Sequence, residues 1–82
     1  MSKENVERIR KIVNLIRKRG FVTVDQLMED FEVSRASIKR DFELLRSRLG
    51  CPLAWDRTKR GYVIRDDQLP GGGPFELPGL WF

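Results

Sequence analysis

Apolar residues recur at three- and four-residue steps near the start of the chain, at Val6, Ile9, Ile12, Val13 and Ile16, with Leu15 at the edge of the stripe. Arg10, Lys11, Asn14, Arg17 and Lys18 fall on the opposite side. That period predicts an amphipathic helix from about Asn5 to Arg19. Arg17, Lys18 and Arg19 occupy its last turn, where cations suit the negative end of the helix dipole, and Gly20 follows as a stop. Thr23 precedes Gln26 by three residues, the spacing of a capping box, and opens a short second helix from Val24 to about Phe31 with Leu27, Met28 and Phe31 turned inward. A brief turn carries Val33, and Ser34 is the next N-cap. The third helix is expected from Arg35 to about Arg48, with Ile38, Phe42, Leu45 and Leu49 inward and Gly50 closing it. Leu44 falls off this stripe, so it should meet the next element or another subunit.

The period then changes to two. Leu53 and Trp55 alternate with Ala54 and Asp56, the polar run Arg57-Thr58-Lys59-Arg60-Gly61 intervenes, and Tyr62 and Ile64 alternate with Val63 and Arg65. Two alternating runs around a glycine-ended loop predict a β-hairpin, with Pro52 at a strand start or edge because it lacks an amide donor. Beyond Arg65, turn formers without periodicity read as a linker. The end of the chain brings Phe75, Leu77, Leu80, Trp81 and Phe82 together. Such residues either fold back onto the domain or a partner, or mark a chain cut from a longer protein; truncation is the favoured expectation.

Charge sharpens this outline. The chain has 82 residues and a formal net charge of +4. Residues 1–32 hold seven basic and six acidic side chains, residues 33–65 hold nine and three, and residues 66–82 hold none and three. The basic excess is confined to the segment with the third helix and the hairpin, the footprint expected of a phosphate-backbone binder. A solvated charged face is the plain alternative, and charge alone does not separate the two. Histidine is absent and Cys51 is the sole cysteine, which removes the commonest general acid–base group, any internal disulfide and a multi-cysteine zinc site. No convergent catalytic set is present, so neither an enzyme nor a cofactor is expected. No apolar run approaches the length of a membrane span, and no secretory signal is visible.

Helix, helix, short turn, helix and hairpin is the layout of a winged helix-turn-helix: mainly α with a two-stranded β wing. In that arrangement the last helix enters the major groove through its N-terminal part. Ile38, Phe42 and Leu45 give this helix an apolar back, while Arg35, Ala36, Ser37, Lys39 and Arg40 offer small residues and long cations at its front. Arginine suits guanine O6 and N7, and Ala36 suits a thymine methyl. Exposed amides at a helix start attract phosphate, with the Thr23 and Ser34 hydroxyls nearby. Arg57, Thr58, Lys59 and Arg60 place three cations at the hairpin tip, suited to a phosphate backbone or a minor groove. Trp55 and Tyr62 are expected to pack under the wing rather than stack on bases, Cys51 to fill apolar space, and Asp41 to pair with a neighbouring arginine or cap a local donor.

The run VTVDQLMEDFEVSRASIKRDFELLRSRLGCPLAWDRTKRGYVI resembles the DeoR-type winged helix-turn-helix at the N-terminus of WYL-domain transcriptional regulators. Ser34-Arg35, Ile38-Lys39-Arg40-Asp41, Leu45, Asp56-Arg57 and Gly61-Tyr62 carry the match, and PFELPGLWF is similar to the segment that follows in those proteins. Ser37 stands where threonine is usual, and Phe42 where leucine is. The resemblance implies that Ser34, Arg35, Ser37, Lys39 and Arg40 contact DNA. It also implies that residues 1–65 form the DNA-binding domain and that residues 66–82 lead into a WYL effector region. The expected function is sequence-specific binding of double-stranded DNA by a bacterial, cytoplasmic and nucleoid-associated regulator. A homodimer on a palindromic operator is expected, with this chain alone monomeric or weakly dimeric. A winged-helix protein-interaction module that never touches DNA is the alternative, and it should show apolar anchors on the Arg35–Arg40 surface.

Overall fold

The computed structural model describes residues 3–69 and 74–77. Helix α1 spans Lys3–Arg19, α2 spans Val24–Phe31 and α3 spans Arg35–Ser47. Strands β1, Leu53–Asp56, and β2, Gly61–Ile64, pair antiparallel, with Trp55 opposite Tyr62 and Leu53 opposite Ile64. The α+β winged arrangement expected from the hydrophobic pattern is therefore the observed one. Helix α1 starts two residues before the expected Asn5, and α3 hands over to Arg48 as its C-cap.

The caps explain where the two central helices begin. Thr23 Oγ1 accepts the Gln26 amide at 3.1 Å, and Ser34 Oγ accepts the Ser37 amide at 3.2 Å. The reciprocal half of a capping box does not form at α2, because the Gln26 side chain donates to Asp30 at 3.1 Å. The turn between α2 and α3 runs through Glu32 in the left-handed conformation, φ 53° and ψ 47°, a cost of about 1 kcal/mol for a residue with a β-carbon. Its amide donates to the Met28 carbonyl, and Val33 donates to the same oxygen at 3.2 Å, so the turn leaves neither donor idle.

Ile9, Ile12 and Ile16 of α1 bury their side chains against Leu27 of α2 and Ile38, Phe42 and Leu45 of α3. Each fully buried aliphatic chain of this size contributes about 1.5–3 kcal/mol of transfer free energy. Leu44 packs half-buried against this core. The wing adds Leu53 and Val63, and Val22 bridges to Tyr62 through two amide–carbonyl bonds of 3.0 and 2.7 Å. That bridge ties the segment between α1 and α2 to the second strand of the wing. Gly61 sits beneath it, since a β-carbon there would lie 2.5 Å from the Phe21 ring and 2.9 Å from the Val22 carbonyl oxygen.

After the wing, Asp66–Gln68 forms one 3-10 turn rather than continuous linker. Phe75 and Leu77 return to the core, each only 6% exposed. Arg17 fastens them, with bonds to Asp66 at 2.7 and 3.2 Å and to the Phe75 carbonyl at 2.5 Å, while the Phe75 amide donates to Asp66 at 2.7 Å. The Arg17 guanidinium, then the Phe75 amide, hold the Asp66 carboxyl below the usual carboxylate range. This stabilisation is present above the ordinary aspartate pKa and fades as acid protonates the group. Leu80, Trp81 and Phe82 lie outside the described residues.

Candidate nucleic-acid interface

Building from the backbone outward, the capped start of α3 holds Arg35 and Ala36 in its first turn and Lys39 and Arg40 one turn later. All four side chains are exposed, whereas Ile38, Asp41 and Phe42 on the other side of the same helix are buried. Ser37 is half-buried, and its hydroxyl lies 3.2 Å from that of Ser34. Arg35 donates to the Asp25 carboxylate from the first turn of α2. That contact links the two helices across the turn, and nothing in the hydrophobic pattern signalled it. Among the described residues no acid pairs with Lys39 or Arg40.

The wing tip is organised by its own aspartate. Asp56 Oδ1 accepts the Lys59 amide at 2.9 Å, and this bond holds the carboxyl below its ordinary pKa. Arg65 approaches the other oxygen at 3.6 Å. Arg60 then takes a left-handed conformation, φ 55°, where glycine or asparagine would be the unstrained choice. The turn therefore carries about 1 kcal/mol of backbone cost to present a cation.

The four wing residues do not act as one patch. Arg60 shares a cleft of about 260 Å³ with Thr23, Arg35 and Lys39. Lys59 leans elsewhere, its Nζ 3.6 Å from where a β-carbon on Gly20 would stand, at the C-terminal end of α1. Arg57 and Thr58 are exposed outside the cleft, as are Ser34, Ala36 and Arg40 on the helix side. The structure thus gathers Thr23, Arg35, Lys39 and Arg60 and leaves the other expected contacts spread along the adjoining surface.

A small domain whose short second helix is followed, after a three-residue turn, by a helix with a buried back and a basic front is matched by one family model. It covers residues 8–63 and describes an HTH domain. The chain belongs to the HTH domain family. No curated protein and no solved structure matches it. The matched span takes in all three helices and the wing up to Val63, so the HTH domain comprises the elements that carry the basic surface. Its family is one of DNA-binding domains, and DNA is the partner it implies. No helix among the described residues is long and apolar enough to cross a membrane, and no cluster of three metal-ligating side chains occurs among them.

The two aromatic residues of the wing differ in how far they are buried. Tyr62 packs as expected, its ring centroid 4.7 Å from that of Phe42 and the Arg46 guanidinium 5.6 Å above it. Trp55 shares that face of the hairpin but stays half exposed. It meets Tyr62 edge-on at 5.3 Å between centroids and is 50% exposed. Strict alternation pointed it inward with Leu53; Leu53 is buried, while Trp55, nearer the hairpin tip, is not.

Cys51 is buried, 4% exposed, and burial pushes its thiol up to about 11, with Arg17 and Arg46 opposing and Asp66 assisting. At pH 8 only about one thiol in a thousand is then ionised, against roughly a quarter for a free cysteine. Native protein should resist iodoacetamide over hours and label promptly once urea unfolds it, a contrast read directly by mass spectrometry.

Proposed function

We propose that this HTH domain reads double-stranded DNA sequence-specifically, as the DNA-binding head of a bacterial transcriptional regulator of the WYL type with a DeoR-like winged helix-turn-helix. Helix α3 enters the major groove, with Arg35, Ala36, Ser37, Lys39 and Arg40 toward base edges and the flanking phosphates. Thr23 and Ser34 meet phosphate near the helix starts, and Arg57, Thr58, Lys59 and Arg60 run along the backbone or the neighbouring minor groove. The regulator acts in the cytoplasm, on the nucleoid, as a homodimer on a palindromic operator, because one module of this size covers little duplex surface.

The observation that carries this reading is the contrast across α3: a buried back, apolar but for the Arg8-paired Asp41, and a front whose first two turns expose Arg35, Ala36, Lys39 and Arg40. A protein-interaction module would need large apolar anchors on that surface. Ala36 is the sole apolar side chain on the α3 front, and burying Lys39 and Arg40, which pair with no acid among the described residues, is costly.

Selection of bound sites from random duplex, followed by salt titration of binding to the selected and to scrambled sequences, tests the proposal. Arg35→Ala should cost about 1–3 kcal/mol on the selected site and relax its base preference. Arg60→Ala should weaken all sequences evenly and lower the slope of log K against log salt by about one. Lys59→Ala should do less, since its ammonium leans toward α1. Salt-independent binding, or Arg60→Ala with unchanged affinity and slope, contradicts the assignment.

A further inference from the structure

Given DNA binding as proposed above, we infer that the cleft between α3 and the wing seats one sugar–phosphate unit of the DNA backbone, with the Trp55 indole packed against the deoxyribose. A helix in the major groove and a wing along the neighbouring minor groove are separated by a single backbone strand, and that strand has to cross the space between the two elements. Its repeating unit is amphipathic, an anion joined to a largely apolar sugar ring. The cleft offers the complement of both parts. Lys39 from α3 and Arg60 from the wing flank it, and the Trp55 indole forms part of its wall.

Trp55 is the one large hydrophobic side chain strongly exposed among the described residues. Exposure of an isolated apolar group is ordinary, but this indole stands where cations from two separate elements converge. It is also held in place. Phe42 is in the core, Tyr62 packs on Phe42 with rings tilted by 58°, and Trp55 meets Tyr62 edge-on at 74°. This three-ring ladder backs the indole from the interior outward, which lowers the rotamer freedom lost when a ligand covers it. Asp25, the acid lining the cleft, is engaged by Arg35, which leaves Lys39 and Arg60 to supply the net positive charge. Every nucleotide carries the same sugar and phosphate, so this seat adds affinity and orientation without discriminating bases.

Replacing Trp81 with phenylalanine leaves Trp55 as the sole indole of the 82-residue chain. Binding is followed by anisotropy of a labelled duplex while Trp55 emission is read in the same titration. The expected result is quenching of Trp55 that saturates with the duplex. Trp55→Ala should weaken binding roughly 5- to 30-fold on selected and scrambled sequences alike, the lower part of the range for losing an aromatic stacking surface, since a sugar offers less area than a base. The salt slope should stay unchanged, because no ion contact is lost, and Trp55→Phe should restore most of the affinity. A duplex that binds while Trp55 emission stays constant overturns the seat and leaves the DNA-binding proposal standing. So does a folded Trp55→Ala protein that binds within twofold of its parent. A chain that binds no duplex at low salt overturns both.

Discussion

Replacing Asp41 with alanine will cost the domain about 3 kcal/mol of folding free energy, the lower end of the range for breaking a buried ion pair. Asp41 lies on the inner side of α3, only 4% exposed. It receives Arg8 of α1 through both oxygens, at 2.5 and 3.1 Å from Nε and Nη2. Alanine removes the carboxylate and leaves the guanidinium beside it in a partly desolvated place. The Arg8 side chain keeps 17% of its exposure, which is why the lower end applies. Against a total of about 4–12 kcal/mol for a chain of this length, the loss is a large fraction. Urea unfolding followed by circular dichroism would show the midpoint fall with little change in slope. Asp41→Asn should lose less, since an acceptor remains. Combining Arg8→Leu with Asp41→Leu should recover most of the deficit, because a well-packed apolar pair often equals the ion pair it replaces.

This ion pair marks the boundary of what the sequence could disclose. Periodicity places Ile38, Phe42 and Leu45 inside, and it put the start and end of α2 at Val24 and Phe31, where they are observed. Those positions are set by local rules: a 3.6-residue period, a hydroxyl N-cap and a change to period two. Asp41, by contrast, sits next to Phe42 and inside, and its partner is thirty-three residues away on another helix. A carboxylate on the core side is acceptable only because Arg8 meets it, and no single-helix pattern contains that information. The Val22–Tyr62 bridge and the Arg17–Asp66–Phe75 clamp are long-range in the same sense.

The basic front is a mixed case. Local composition identified Arg35, Lys39 and Arg40 as outward, and they are. What composition left open was how the wing cations divide. Arg60 enters the cleft beside Lys39 while Lys59 turns toward Gly20, because the Asp56 cap and the left-handed backbone at Arg60 set the direction of each side chain. The Asp25–Arg35 pair is likewise a tertiary contact, made when the turn through Glu32 brings the start of α2 against the start of α3.

Phe42→Ala is expected to cost about 3–5 kcal/mol, the usual range for removing a buried aromatic ring, and to damage DNA binding beyond its effect on the folded fraction. Phe42 is 4% exposed and stands at the inner end of the ladder that continues through Tyr62 to Trp55. Alanine leaves a void that the neighbouring backbone refills only in part, and Tyr62 loses the ring that sets its tilt. The wing is also secured by the Val22 bridge and by Arg46, whose Nε donates to the Leu53 carbonyl at 3.2 Å, so the hairpin should persist while its aromatic face loosens. Phe42→Leu separates the two consequences. Leucine fills much of the same volume, so the stability loss should shrink to about 1–2 kcal/mol, while the aromatic contact to Tyr62 is lost in both variants. Thermal unfolding gives the first quantity. Duplex affinity, measured where both variants are fully folded, gives the second. A Phe42→Leu protein that is fully folded under the assay conditions but weaker on DNA shows that the core ring acts through the wing. Equal affinities would confine Phe42 to packing.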